Sequence, residues 1–277
     1  MLLVVATPIG NLADLSPRAR QSLAEAEVIA AEDTRVTRKL LAALDIPAPE
    51  LVSYRREDEQ RRAARLVDRI AEGTRVVLVS DAGTPAISDP GVPLVRSCHE
   101  RGIPVRAVAG PCSPAAALSV AGLPTAPNHF LGFPPRKPGQ LRRWLREHGA
   151  LPGTLVMLEG PLRVARTAAA IAEVLPDRRV ALCRELTKLH EEVLVLDAAG
   201  LAADLVARER IRGECVLVVG PGEAPVSERR STEATGDLKT IAAALADRWG
   251  CTRREAYQVL LSLEAGELTR LECEPAP

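Results

Sequence analysis

The stretch VLVSDAGTPAISDPG, Val77 to Gly91, sets two carboxylates, Asp81 and Asp89, among glycines, prolines and small side chains. Glycine and proline account for tight turns there but leave the two acids unexplained. Small residues let a backbone approach a ligand closely, and aspartates accept from hydroxyls or face a cation. Three more stretches share this character: TPIGNLAD (7–14), EDTRVT (32–37) and AGPCSP (109–114). Each also has an ordinary reading: a Pro-Gly turn, an acidic helix start and a serine cap, respectively.

All four stretches follow a short aliphatic run that reads as a strand. In open α/β sheets ligands bind beyond the carboxyl ends of the strands, so these loops occupy the expected place. The chain has no GxGxxG after a strand, no GxxxxGK[ST], no HExxH and no GxSxG, which disfavours a dinucleotide or P-loop nucleotide. A nucleoside-like ligand without a phosphate tail suits the acidic, small-residue loops better. S-adenosyl-L-methionine, with ribose hydroxyls and a positive sulfonium, fits that description.

The elements that must position these loops are legible as alternation. Aliphatic runs recur at 2–6, 28–32, 75–80, 103–108, 154–159, 179–184, 192–197 and 215–220, separated by amphipathic stretches such as SPRARQSLAEAE and EQRRAARLVDRIAEG. This predicts an α/β fold with largely buried strands. Helix caps are expected at Ser16, Thr34 and Ser113. The proline-rich AGLPTAPN (121–128) and the polar PGEAPVSERRSTEATG (221–236) suggest an N-terminal α/β domain (1–122), a second α/β domain (123–224) and a linker with a helical tail (225–277).

Composition narrows the classes. The 277 residues are 47% hydrophobic, and 36 basic residues balance 36 acidic ones, so any polyanion site must be local rather than global. Trp, Tyr and Phe number two each, too few for an extended base-stacking platform. The six cysteines form no CxxC or Cys/His spacing, and His99, His129, His148 and His190 share none, so reduced thiols and no metal are expected. The opening MLLVVATPIG lacks a basic start and a long apolar run, and reads as a buried strand of a cytoplasmic protein with no membrane segment.

ATPIGNLADLSPRA, AAEDTRVTRKLL, VLVSDAGTPAISDPG, AGPCSPAAAL and RELTKLHEE, in this order, resemble the RNA-acting branch of the tetrapyrrole (corrin/porphyrin) methylase family over roughly residues 2–220. The resemblance implies two α/β domains with a small helical appendage, a homodimer, and S-adenosyl-L-methionine in the cleft between the domains. It also implies 2′-O-methylation of a cytidine ribose in the 16S rRNA of the small ribosomal subunit. By position, Pro8, Asp81, Ala82, Gly83, Thr84, Pro85, Ser88, Asp89, Pro111 and Ser113 would line the cofactor site. Leu158, Cys183, Gly213 and Glu214 would close over it from the second domain. Tyr54–Glu59 and Leu158–Arg163 depart from the family pattern, which has histidines in both stretches and a tyrosine in the second.

A ribose hydroxyl is a weak nucleophile, so a base must take its proton. The candidates are Glu32, Asp33, Glu159 and Glu185, or Lys188 if its pKa is depressed. Against these stand structural readings: Glu32 and Asp33 as a helix N-terminus, Glu159 as a partner of Arg163, Lys188 as a solvated loop lysine. For RNA contact the local clusters are Arg35 and Arg38 beside EDTR, and Arg136, Lys137, Arg142 and Arg143 in PPRKPGQLRRWLRE. Methylation of a tetrapyrrole-type small molecule, or non-catalytic binding of the cofactor or RNA, are the competing functions.

Overall fold

The computed structural model describes residues 1–222, 238–249 and 251–264. Two units are distinguished, Met1–Glu223 and Ala224–Pro277. The larger contains two five-stranded sheets. In the first, β1 (Leu2–Val5), β2 (Val28–Ala31), β3 (Glu50–Ser53), β4 (Val76–Val79) and β5 (Val105–Val108) run parallel in the order β3-β2-β4-β1-β5.

Strands β2 and β4 are buried along their whole length, which requires cover on both faces. Helices α1 (Pro17–Ala24), α2 (Thr34–Ala43), α3 (Glu59–Ala71) and α4 (Val92–Glu100) supply it. Because strand side chains alternate, Val28, Ala30, Val76 and Leu78 pack with Leu66, Ile70 and Leu94 of α3 and α4. Ile29, Ala31, Val77 and Val79 pack on the opposite face with Leu23 and Leu41 of α1 and α2.

The second sheet is mixed. It comprises β6 (Asn128–Phe130), β7 (Thr154–Glu159), β8 (Arg179–Arg184), β9 (Glu192–Asp197) and β10 (Cys215–Val219), in the order β6-β7-β10-β8-β9. Only the β6–β7 pair is parallel. Helices α6 (Pro138–Gly149), α7 (Val164–Val174) and α8 (Ala198–Ala207) cover one face through Leu145, Ile171 and Leu201 on Met157, Leu182 and Leu217. The other face, Val156, Ala181, Val216 and Val218, receives Ala117 of α5 (Ser113–Val120) and Ala121 at its C-cap. That helix follows the last strand of the first sheet and thereby joins the two halves.

The described residues of the smaller unit include two helices, α9 (Leu238–Trp249) and α10 (Arg253–Glu264), packed through Ala242, Ala246 and Ala256. A capping box starts α10: Thr252 N donates to Glu255 Oε2 at 2.7 Å and Glu255 N to Thr252 Oγ1 at 3.3 Å. The linker expected over 221–236 lies, beyond its first two residues, outside the described residues.

Several sequence expectations change. Strands β3 and β6 were not anticipated, because ELVS and NHF are short and lie at sheet edges. The cap of α2 is Asp33, not Thr34: its carboxylate accepts from Arg35 N at 2.8 Å and Thr34 is already helical. Ser113 likewise lies inside α5, whose cap position is Cys112 with no side-chain bond. Ser16 does cap α1, accepting from Ala19 N at 3.1 Å.

Candidate active site

The four glycine- and acid-bearing loops follow β1, β2, β4 and β5, and parallel pairing brings their starts to one edge of the first sheet. Direct bonds tie them to the loop after β4. Thr7 and Gly83 exchange backbone hydrogen bonds at 2.9 and 3.1 Å. Asp33 N donates to Asp81 Oδ1 at 2.9 Å, and Thr84 Oγ1 donates to Pro111 O at 3.0 Å. The central loop is therefore held by all three neighbours.

Opposite it, the second sheet presents one row of side chains. Val216 of β10 pairs with Leu158 of β7 on one side and Cys183 of β8 on the other. Between this row and the loops is a cavity of about 360 Å³, within the range of small-molecule sites. Of the expected cofactor residues, Asp81, Ala82, Gly83, Thr84, Asp89 and Ser113 line it from the first half, and Leu158, Cys183 and Glu214 from the second. Pro8, Pro85, Ser88, Pro111 and Gly213 are not among its lining residues; each is next in the chain to one that is.

The acids shape its electrostatics. Glu32, Asp81 and Asp89 all line the cavity, and the carboxyl of each is raised above its ordinary pKa. Burial is the main cause throughout. For Glu32 repulsion from Asp89 and Asp81 adds to it, while Arg56 pulls the other way. A cation placed among them relieves both burial of charge and mutual repulsion. The residues therefore fit a ligand with one apolar face, against Ile9, Leu158, Leu186 and Val216, and one cationic, hydroxyl-bearing side.

The remaining acid and base candidates separate cleanly. Asp33 caps α2 and pairs with Arg35 at 2.6 Å, which holds its carboxyl far below the usual range. Glu159, 3% exposed, accepts from Arg163 Nε and Nη2 at 2.8 and 2.7 Å, from Thr167 Oγ1 at 2.7 Å and from Gly160 N at 2.8 Å. Both of its oxygens are committed to structure. Lys188 donates to Glu185 Oε1 at 2.8 Å and Glu214 Oε2 at 3.0 Å. The depressed lysine pKa that a basic role requires is thus corrected: burial alone would lower it, but the two carboxylates outweigh burial and raise it. Glu185 is lowered chiefly by its hydrogen bond with Lys188.

This lysine joins the two halves instead. Its stem lies on Gly10, where a Cβ would meet Lys188 Cγ at 2.3 Å, and Asn11 N donates to Thr187 Oγ1 at 3.1 Å. Gly213 is required for a related reason: its φ is +87° and a Cβ would meet Glu185 Cδ at 2.3 Å.

Of the cations expected to meet RNA, Arg38, Arg136 and Lys137 are exposed. Arg35 is exposed but paired with Asp33. Arg142 is engaged by Glu173 at 2.7 Å and Arg143 by Glu147 at 2.7 Å, so these two brace α6 to α7 and along itself. Among the described residues no group of acids, cysteines and histidines has metal-binding geometry, and no helix is long and apolar enough to cross a membrane. Residues that the sequence did not single out also belong to the site. Ile9, Cys112 and Leu186 sit inside the motifs and Phe133 does not, while Arg56, in the Tyr54–Glu59 stretch, braces the loop by donating to Ser88 O at 2.7 Å. For Phe133, outside every motif, the signal was a rare aromatic beside two prolines.

A family model described as Tetrapyrrole (Corrin/Porphyrin) Methylases matches residues 1–202. A protein of Halalkalibacterium halodurans named ribosomal RNA small subunit methyltransferase I is 46% identical over 226 residues, 80% of this chain and 76% of that one. One of the same name from Neisseria meningitidis serogroup A is 42% identical over 245 residues, 88% and 84% of the two chains. Among solved structures, uroporphyrin-III C-methyltransferase from Thermus thermophilus, complexed with S-adenosyl homocysteine, shares the fold with a TM-score of 0.54 at 22% identity, covering 79% of this chain and 96% of its own.

Proposed function

This chain belongs to the tetrapyrrole (corrin/porphyrin) methylase family, and on that premise we propose that it is an S-adenosyl-L-methionine-dependent methyltransferase that 2′-O-methylates a cytidine ribose in 16S rRNA of the small ribosomal subunit. The observation that carries the reading is the cavity itself, with three partly buried acids on one wall and an apolar row on the other. The names of its relatives point to ribosomal RNA as acceptor.

Asp81, Asp89 and Glu214 would hold the ribose hydroxyls and the positive end of the cofactor, and Leu158, Cys183 and Val216 its apolar face. When bound, S-adenosylmethionine supplies an activated methyl group. The chain's own tasks are to align the acceptor oxygen, exclude water and receive a proton. Glu32 is the base in this reading: it lines the cavity, its pKa is raised, and among the described residues no cation is hydrogen-bonded to it. Asp33, Glu159 and Lys188 position the loops and strands around it. The reading includes division of the chain after residues 122 and 224, a homodimer, and a cytoplasmic place of action.

Incubating the protein with labelled S-adenosylmethionine and small subunits from a strain lacking the gene tests it. Label on a cytidine ribose of the 16S rRNA is expected; bound cofactor without labelled RNA would overturn the assignment. Asp81→Ala should weaken S-adenosylhomocysteine binding at least tenfold by calorimetry, and unchanged affinity would displace the site. Sedimentation at micromolar concentration should give a dimer.

A further inference from the structure

Phe133 lines the cavity and is nevertheless 62% exposed, in a chain that has two phenylalanines. A single exposed apolar side chain is ordinary, but the backbone that carries this one is anchored beside the cavity. Leu131 N donates to Val156 O at 2.8 Å, Leu158 N to Gly132 O at 2.9 Å, and Arg163 Nη2 to Pro134 O at 2.9 Å. The backbone is thus anchored on both sides of the ring. Anchoring extends downstream, where Arg166 Nη2 donates to Arg136 O at 3.2 Å. The side chains of Arg136 and Lys137 are exposed three and four residues beyond the ring.

Across the mouth the loop after β4 comes into contact: a Cβ on Gly132 would meet Ser88 Oγ at 3.3 Å, and Ile87, 43% exposed, lines the same cavity. An exposed aromatic face on an anchored backbone, an apolar residue on the facing loop and two cations one short step along the chain match the parts of a single nucleotide. The ring suits a base, which has a π-face whatever its identity, and the cations suit a phosphate.

We propose that Phe133 is the face on which the acceptor nucleotide's base stacks, with Arg136 and Lys137 taking the adjoining phosphates. The inference rests on RNA being the acceptor. It assigns Phe133 to the acceptor, not to the cofactor. Base stacking on an aromatic face commonly changes affinity by about tenfold. It is a binding role that does not by itself choose cytidine.

The test compares the full chain with Phe133→Ala, Phe133→Leu and Phe133→Trp. Affinity for unmethylated small subunits is read by filter binding and affinity for S-adenosylhomocysteine by calorimetry. The alanine and leucine variants should bind subunits about tenfold more weakly and raise KM for them, the tryptophan variant should match the parent, and all should bind S-adenosylhomocysteine within twofold of it. Leucine keeps apolar bulk without a π-face, so leucine equal to phenylalanine would overturn stacking. A parallel loss of S-adenosylhomocysteine affinity would place the ring on the cofactor and also overturn it. If the parent chain binds subunits but transfers no methyl group, the proposed reaction fails, while the binding curves still decide the stacking.

Discussion

Glu32 sits in a field of like charge, and that field makes its proposed role as base measurable. A base works only when ionised, so activity is present above its raised pKa and lost as pH falls through it. The acid limb of kcat/KM should therefore lie above the ordinary glutamate range. Because Asp81 and Asp89 titrate beside it, the limb belongs to the cluster rather than to one acid. Glu32→Gln should lower kcat/KM about 100-fold and flatten the limb while S-adenosylhomocysteine still binds; an unchanged limb would assign the proton elsewhere. Glu159 makes the contrasting case. Glu159→Ala removes the carboxylate shared by the mostly buried Arg163 and Thr167, a loss of about 3 kcal/mol and roughly 6–12 °C in Tm. A Glu159→Gln variant with unchanged Tm but lost kcat would instead make this acid chemical. In the sequence the two glutamates looked equivalent, since spacing shows that Arg163 can reach Glu159 but not that Thr167 and Gly160 complete the set.

Among the elements, the start of α3 is what shapes the loop after β4. Ala86 and Ser88 take φ of +67° and +68°, unfavourable for residues with a side chain. Arg56 holds Ser88 O at 2.7 Å and Glu59 accepts from Gly91 N at 3.2 Å, so the two ends of the strained turn are gripped from outside it. Arg56→Ala should raise KM for S-adenosylmethionine several-fold with little change in Tm, and move the acid limb upward, because Arg56 lowers both Glu32 and Asp89. Glu192 does comparable work for β9, pairing with Arg184 and Arg208 at 2.8 and 2.7 Å. The hydrogen bond with Arg208 first, then that with Arg184, lowers its pKa from 4.5 to about 2. That stability is present above pH 4.5 and lost as pH falls through about 2, on the order of 3 kcal/mol before solvent screening reduces it. Urea unfolding at pH 7 and pH 2.5 should show a smaller acid loss in Glu192→Gln than in the parent. Long aliphatic strands such as RVALCR and CVLVV, and loops rich in glycine and aspartate, were legible because burial and turn geometry act locally. β3, β6 and the φ values of Ala86 and Ser88 were not, since edge pairing and the Arg56 grip depend on residues distant in the chain.

For the molecule as a whole, zero net charge leaves RNA attraction to particular surfaces. Binding to small subunits should weaken with salt, and Arg136→Glu with Lys137→Glu should reduce the slope of log affinity against log salt by roughly 1–2, as each lost phosphate contact contributes about 0.7–0.9. A slope equal to the parent's would remove the segment leading into α6 from the interface. The sheet order also sets a timetable. β1 is made first, yet its neighbours are β4 and β5, whereas β2 can pair with β3 as soon as the latter appears. A growing chain therefore carries β1, an apolar strand with neither edge satisfied, until Val76–Val79 emerge roughly 70 residues later. At about 5–20 residues per second that interval lasts on the order of 4–14 seconds, during which this strand must be kept from pairing with a neighbouring chain.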